Sequence, residues 1–68
     1  MTKKQRRVYS FICAYCRRNG YPPTIAEICE GCGTGSPSYV RETLWKLEFM
    51  GLIEYHDGKH RAIKIIQK

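Results

Sequence analysis

At Gly51 the spacing of apolar residues changes from helical to extended, and this change limits the fold more than any other feature of the chain. Ahead of it, apolar positions recur three and four residues apart. Behind it, Leu52-Ile53-Glu54-Tyr55 reads as a strand. His56-Asp57-Gly58-Lys59 carries an Asp-Gly hairpin signal, and Arg61-Ala62-Ile63-Lys64-Ile65-Ile66 reads as the returning strand, so a hairpin is expected over about 52–66. A two-stranded hairpin is marginal alone and needs something to pack on. With 68 residues in all, the helical part and the hairpin must form one domain, 1–68. A domain of this size buries only about 60% of its unfolded surface.

The helical part divides at clear punctuation. Thr2-Lys3-Lys4-Gln5 fits a capping box, so a first helix is expected over about 3–18. Val8, Phe11, Ile12, Tyr15 and Cys16 define its inner face, and Asn19-Gly20 ends it with a glycine suited to a left-handed cap. Tyr21-Pro22-Pro23 is a stiff connector, because each proline fixes its own φ and restrains its predecessor. Thr24-Ile25-Ala26-Glu27 is a second capping box and opens a short helix over 25–32, with Ile25, Ile28, Cys29 and Cys32 as its stripe. Gly31, Gly33 and Gly35 then supply a turn. Ser36-Pro37 opens a third helix, expected over 37–50, with Ser36 as N-cap, Pro37 at the first helical position, and Val40, Leu44 and Leu47 facing inward.

Twelve Lys and Arg against six Asp and Glu give a net charge of +6, which points to a polyanionic partner. No stretch approaches the roughly 20 apolar residues of a membrane span. The N-terminal VYSFICAYC run is broken by Ser10 and tyrosines and has no small-residue cleavage site, so it reads as an amphipathic helix of a cytoplasmic protein rather than a leader. No Ser/His/Asp set, paired carboxylates or phosphate-cradling loop appears, and no enzymatic activity is expected.

Helix, short helix, Gly-rich turn, helix, hairpin is the order of a winged helix-turn-helix: mostly α, three helices and a small β-hairpin. A three-helix scaffold for protein contacts would show nearly the same pattern. The residues Gly20-Tyr21-Pro22-Pro23-Thr24, Ala26-Glu27-Ile28, Gly33, Ser36-Pro37, Leu44, Leu47 and Gly51-Leu52-Ile53-Glu54 add to this. Together with Gly58, Arg61, Ile63 and Ile65–Ile66 they resemble the DNA-binding domain of the bacterial SOS repressor LexA, without a gap and over nearly the whole chain. The resemblance implies a recognition helix beginning at Ser36, with base-reading positions at Ser36, Ser38, Tyr39, Arg41 and Glu42. The family typically shows Asn-Ala-Ala-Glu-Glu after Ser-Pro. Here the stretch is Ser38-Tyr39-Val40-Arg41-Glu42, so Arg41 reverses a charge and an operator other than the SOS box is expected. With Lys68 as the last residue, the family's C-terminal autoprotease and dimerisation domain is not expected in this sequence. Double-stranded DNA is the expected partner, with a homodimer or a separate partner domain to strengthen a domain too small to bind tightly alone.

Lys3, Lys4, Arg6, Arg7, Arg17 and Arg18 stand in residues 1–19 with no acid among them, and Lys59, Arg61, Lys64 and Lys68 stand in the wing region. Of these, Lys3, Lys4, Arg7, Lys59 and Arg61 are the expected contacts to phosphate, joined by the helix start at Thr24. Cys13-x-x-Cys16 and Cys29-x-x-Cys32 have the look of a four-thiolate zinc site, but both pairs fall in predicted helices. Reduced thiols are the main expectation, with Cys16, Cys29 and Cys32 buried, Cys13 more exposed and no cofactor; a zinc-stapled small domain is the alternative. Trp45 and Phe49 point away from the inner stripe and mark either a protein interface or a surface against the DNA backbone. His56 and His60 flank the hairpin tip and read as solvated. The leading function is a sequence-specific, double-stranded DNA-binding regulator, with repression as its expected action. A winged-helix protein-interaction module using Trp45 and Phe49 is the alternative.

Overall fold

Both capping boxes form, and they fix where the helices start. The Thr2 hydroxyl accepts from the Gln5 N–H at 3.1 Å while the Gln5 side chain accepts from the Thr2 N–H at 3.1 Å. Thr24 and Glu27 repeat the exchange at 3.1 and 2.8 Å. The computed structural model describes residues 1–56 and 61–66, and in it α1 spans Lys3–Asn19, α2 Ile25–Cys32 and α3 Pro37–Phe49. Gly20 and Gly33 close α1 and α2 in the left-handed region, at φ 79° and 69°, where a side chain would be strained. Met50 caps α3 and Gly51, at φ 79°, turns the chain toward the hairpin.

Strands β1 (Ile53–Tyr55) and β2 (Ile63–Ile65) pair antiparallel, with Ile53 opposite Ile65 and Tyr55 opposite Ile63. Both are shorter than expected. The ladder is extended by single bonds on either side, His56 N–H to Ala62 O at 2.9 Å and Ile66 N–H to Leu52 O at 3.1 Å. Arg61 cannot continue β2, because its φ of 50° lies outside the extended region. The expected Asp57-Gly58 turn, with Lys59 and His60, lies outside the described residues.

Val8 and Ile12 of α1, Ile28 and Cys32 of α2, Val40, Leu44 and Leu47 of α3, and Ile53, Tyr55 and Ile63 of the hairpin make one core. Every element contributes, so the hairpin is packed against the helices rather than appended to them. Several details differ from the sequence reading, and Phe11 and Ile25 of the expected inner stripes are half-buried too. Cys16 and Cys29 are only half-buried and pack on the rim of the core, leaving Cys32 as the buried thiol. Tyr15 is likewise half-buried, because its hydroxyl is drawn to a carboxylate on α2. Gly31 lies inside α2 rather than in the turn after it, and the Phe11 ring occupies the space a Cβ would take. Among the described residues no helix is long and apolar enough to cross a membrane.

Candidate nucleic-acid interface

The start of α3 is built by local bonds. Ser36 accepts from the Tyr39 N–H at 3.2 Å, its own N–H donates to the Thr34 hydroxyl at 3.3 Å, and Thr34 N–H donates to Cys29 O at 2.9 Å. With Pro37 at the first turn, α3 leaves the tight turn after α2 in a fixed direction. Of the expected base-reading positions, Ser36, Ser38 and Glu42 are exposed, and Tyr39 and Arg41 are half-buried. Val40 between them is fully buried and anchors the helix. Glu42 pairs with Lys46 at 3.4 Å across one turn, a well-exposed pair that adds little stability.

α1 brings its cations to the same place. Lys4 and Arg7 line a cleft with Cys32, Gly33, Thr34, Ser36 and Tyr39, so the two charges stand at the N-terminus of α3. The Lys4 ammonium lies 5.8 Å from the centre of the Tyr39 ring. Lys3 is exposed and does not line that cleft. The Thr24 hydroxyl is occupied by its own cap. Further along α3, Trp45 is 49% and Phe49 93% exposed, and both line a shallow groove with Gln5, Glu42, Lys46 and Met50. Trp45 rests on Tyr55 of β1, ring centres 6.4 Å apart.

Arg61 is where the structure departs most from expectation. Read as a hairpin cation for phosphate, it turns its guanidinium inward onto α2 instead. Its Nη1 donates to Glu27 Oε1 and to the Pro22 carbonyl, both at 2.9 Å, and Nη2 reaches Glu27 Oε2 at 3.4 Å. The plane lies 4.4 Å from the centre of the Tyr21 ring. Tyr15 donates to Glu27 Oε2 at 2.8 Å and meets Tyr21 edge-on. The physical reason is the forked geometry of a guanidinium, which matches a carboxylate in two parallel bonds and stacks on aromatic faces. Sequence reasoning missed this group. Glu27 was legible only as a cap residue, and its partner stands 34 positions away.

The Thr24 backbone N–H, the Arg61 guanidinium and the Tyr15 hydroxyl all favour the charged carboxylate, and together they hold Glu27 at about 2, well below its ordinary 4.5. The same contact raises Tyr15 above its ordinary value, since ionisation would set two anions together. A depressed carboxylate stabilises the fold above its unfolded value and ceases to do so as pH falls through its folded one. The melting temperature is therefore expected to drop as pH is lowered from 4.5 toward about 2, and Glu27→Gln to flatten that drop. Parallel acid titration curves for the two proteins would show that Glu27 contributes nothing.

Among the described residues, no group of three or more His, Cys, Asp or Glu is placed to share a metal ion. Each Cys-x-x-Cys pair is held along a helix, whereas a zinc knuckle wraps its ligands around a turn. Burial pushes the Cys16 and Cys32 thiols up, which favours the protonated form.

Three helices, a tight turn into the third and an antiparallel hairpin packed on them define a winged helix-turn-helix domain. The LexA DNA binding domain model matches residues 1–62. The chain belongs to the LexA DNA-binding domain family. It is 41% identical over 66 residues to the LexA repressor of Carboxydothermus hydrogenoformans, covering 97% of this chain and 32% of that protein. To the LexA repressor of Clostridium botulinum it is 44% identical over 63 residues, covering 93% of this chain and 31% of the relative. To that of Acetivibrio thermocellus it is 39% identical over 66 residues, covering 97% and 31%. The chain thus spans about a third of the length of the curated relatives it matches.

Proposed function

We propose that this domain is the operator-reading part of a transcriptional repressor, binding double-stranded DNA in a sequence-specific manner. The observation that carries the reading is the meeting of Lys4 and Arg7 with the Ser36-capped start of α3, in a domain of this family. In this arrangement α3 enters the major groove and presents Ser36, Ser38, Tyr39, Arg41 and Glu42 to base edges. Arg41 is suited to guanine, whose O6 and N7 accept two parallel bonds from a guanidinium. Lys4 and Arg7 lie against phosphate, giving affinity and register but no sequence information. Lys59, outside the described residues, is the wing's cation for the backbone. Two such domains on half-sites about one helical turn apart would supply the affinity that one lacks.

The test is selection of a random duplex library by the purified domain, followed by titration of selected and unselected DNA at two salt concentrations. One enriched motif is expected, distinct from the SOS box, with affinity falling steeply as salt rises. Arg41→Ala is expected to cost roughly 1–3 kcal/mol on the selected motif and to relax one base position. Lys4→Ala is expected to weaken every sequence alike and to reduce the salt slope by about 0.9. Equal losses on selected and random DNA for Arg41→Ala would remove it from base reading. Absence of binding at low salt by a folded domain would sink the reading as a whole.

A further inference from the structure

We infer that Arg61 and Glu27 are a positioning pair, a latch that holds the turn end of the wing against the first turn of α2 and so sets the angle at which the wing meets DNA. The inference rests on the DNA-binding reading above. Its basis is the convergence of three chain segments on one carboxylate. Glu27 accepts from the Thr24 N–H of its own helix, from Tyr15 of α1 and from Arg61 of the wing. Arg61 in turn is fixed by the Pro22 carbonyl and the Tyr21 ring, both in the connector that leads into α2.

The place of Arg61 in the chain gives the latch its leverage. It stands immediately beyond the end of the described ladder, two residues before β2, with a positive φ that redirects the backbone there. The strands themselves are three residues each, too short to fix the hairpin's direction by pairing alone. A fork bonded to α2 and stacked on the connector adds a directional restraint to the core packing of Ile53, Tyr55 and Ile63. The same bonds use three of the five guanidinium N–H groups and turn the fork toward α2, away from a role as a free phosphate contact.

The two roles predict opposite signs, which makes them separable. If Arg61 touched phosphate, Glu27→Gln would remove a competing anion and tighten binding. If the pair is a latch, Glu27→Gln weakens binding although it makes the protein more positive. Gln keeps the capping bond to Thr24, so α2 retains its start. Arg61→Lys is the matching variant: a phosphate contact survives it, whereas the fork and the stack do not.

Fluorescence anisotropy of labelled duplex, selected and random, should be read across a salt series well below the melting temperature. Amide hydrogen exchange should be followed on the same proteins. The expected result is about tenfold weaker binding for Glu27→Gln and for Arg61→Lys on every sequence. The salt slope should not change, and the double variant should be no weaker than either single one. Exchange should accelerate at the wing amides of His56 and Ile66 and stay unchanged at Ile12 and Leu44. The latch is overturned if Glu27→Gln binds as tightly as the parent or tighter, if Arg61→Lys keeps full affinity, or if exchange rises equally at all four amides, which marks a general loss of stability. Failure of the parent domain to bind any duplex is a separate result; it overturns the DNA reading and the latch's role in binding with it.

Discussion

Leu44→Ala is expected to leave little folded domain at 37 °C. Leu44 is fully buried at the centre of the face that α3 turns toward the other elements. Truncating a buried leucine costs about 2–5 kcal/mol, the lost transfer energy plus the cavity left behind. A single core in a chain of this length rarely supplies more than about 3–5 kcal/mol. The substitution therefore removes a sum comparable to the whole stability, and a fall in melting temperature on the order of 20 °C is expected. Thermal unfolding followed by circular dichroism checks it. A shift of only a few degrees would mean that neighbouring side chains collapse into the space. Phe49→Ala, on the same helix but 93% exposed, serves as the control and should leave the midpoint nearly unmoved.

The second large effect is expected at Gly31. Replacing a glycine inside a helix ordinarily stabilises, by up to about 1 kcal/mol for alanine. Here the sign reverses, because an added Cβ would fall within the Phe11 ring. That ring also packs against Tyr15, with centres 5.9 Å apart, so displacing it disturbs the contact between α1 and α2. Gly31→Val is expected to destabilise by about 3 kcal/mol, at the upper end for overpacking. Urea denaturation of Gly31→Val, Phe11→Ala and the double variant tests the cause. If the clash with Phe11 is responsible, the double variant is less destabilised than the sum of the two. Strict additivity would place the cost elsewhere.

What could be read from the sequence follows the range of the interactions involved. Thr2 with Gln5, Thr24 with Glu27, and Ser36 with Pro37 are signals spanning one turn, and the helix starts appear where those residues set them. Val40, Leu44 and Leu47 were legible because helical geometry alone puts them on one face. Burial of Cys16 and Cys29 was not, since the angle of a residue on its helix does not say how far the next element reaches over it. Gly31 looked like turn punctuation because nothing local reveals that Phe11, 20 positions earlier, needs its missing side chain. Arg61 is the plainest case. Charge and position gave it to phosphate, and only the fold brings it to Glu27, Tyr21 and the Pro22 carbonyl. At the candidate interface, Ser36, Ser38 and Glu42, which the family resemblance alone singled out, are exposed, while the meeting of Lys4 and Arg7 with the start of α3 depends on how α1 crosses the turn.

The chain has a single tryptophan, and it stands half exposed on the outer side of α3 with its indole resting on Tyr55 of the hairpin. Tyrosine emission overlaps tryptophan absorption, and at 6.4 Å the two rings are close enough to exchange excitation. The domain thus contains an optical gauge at the seam between its third helix and its wing. Solvent entering that seam, or a surface settling over it, changes the colour and yield of one indole with no second one to blur the signal.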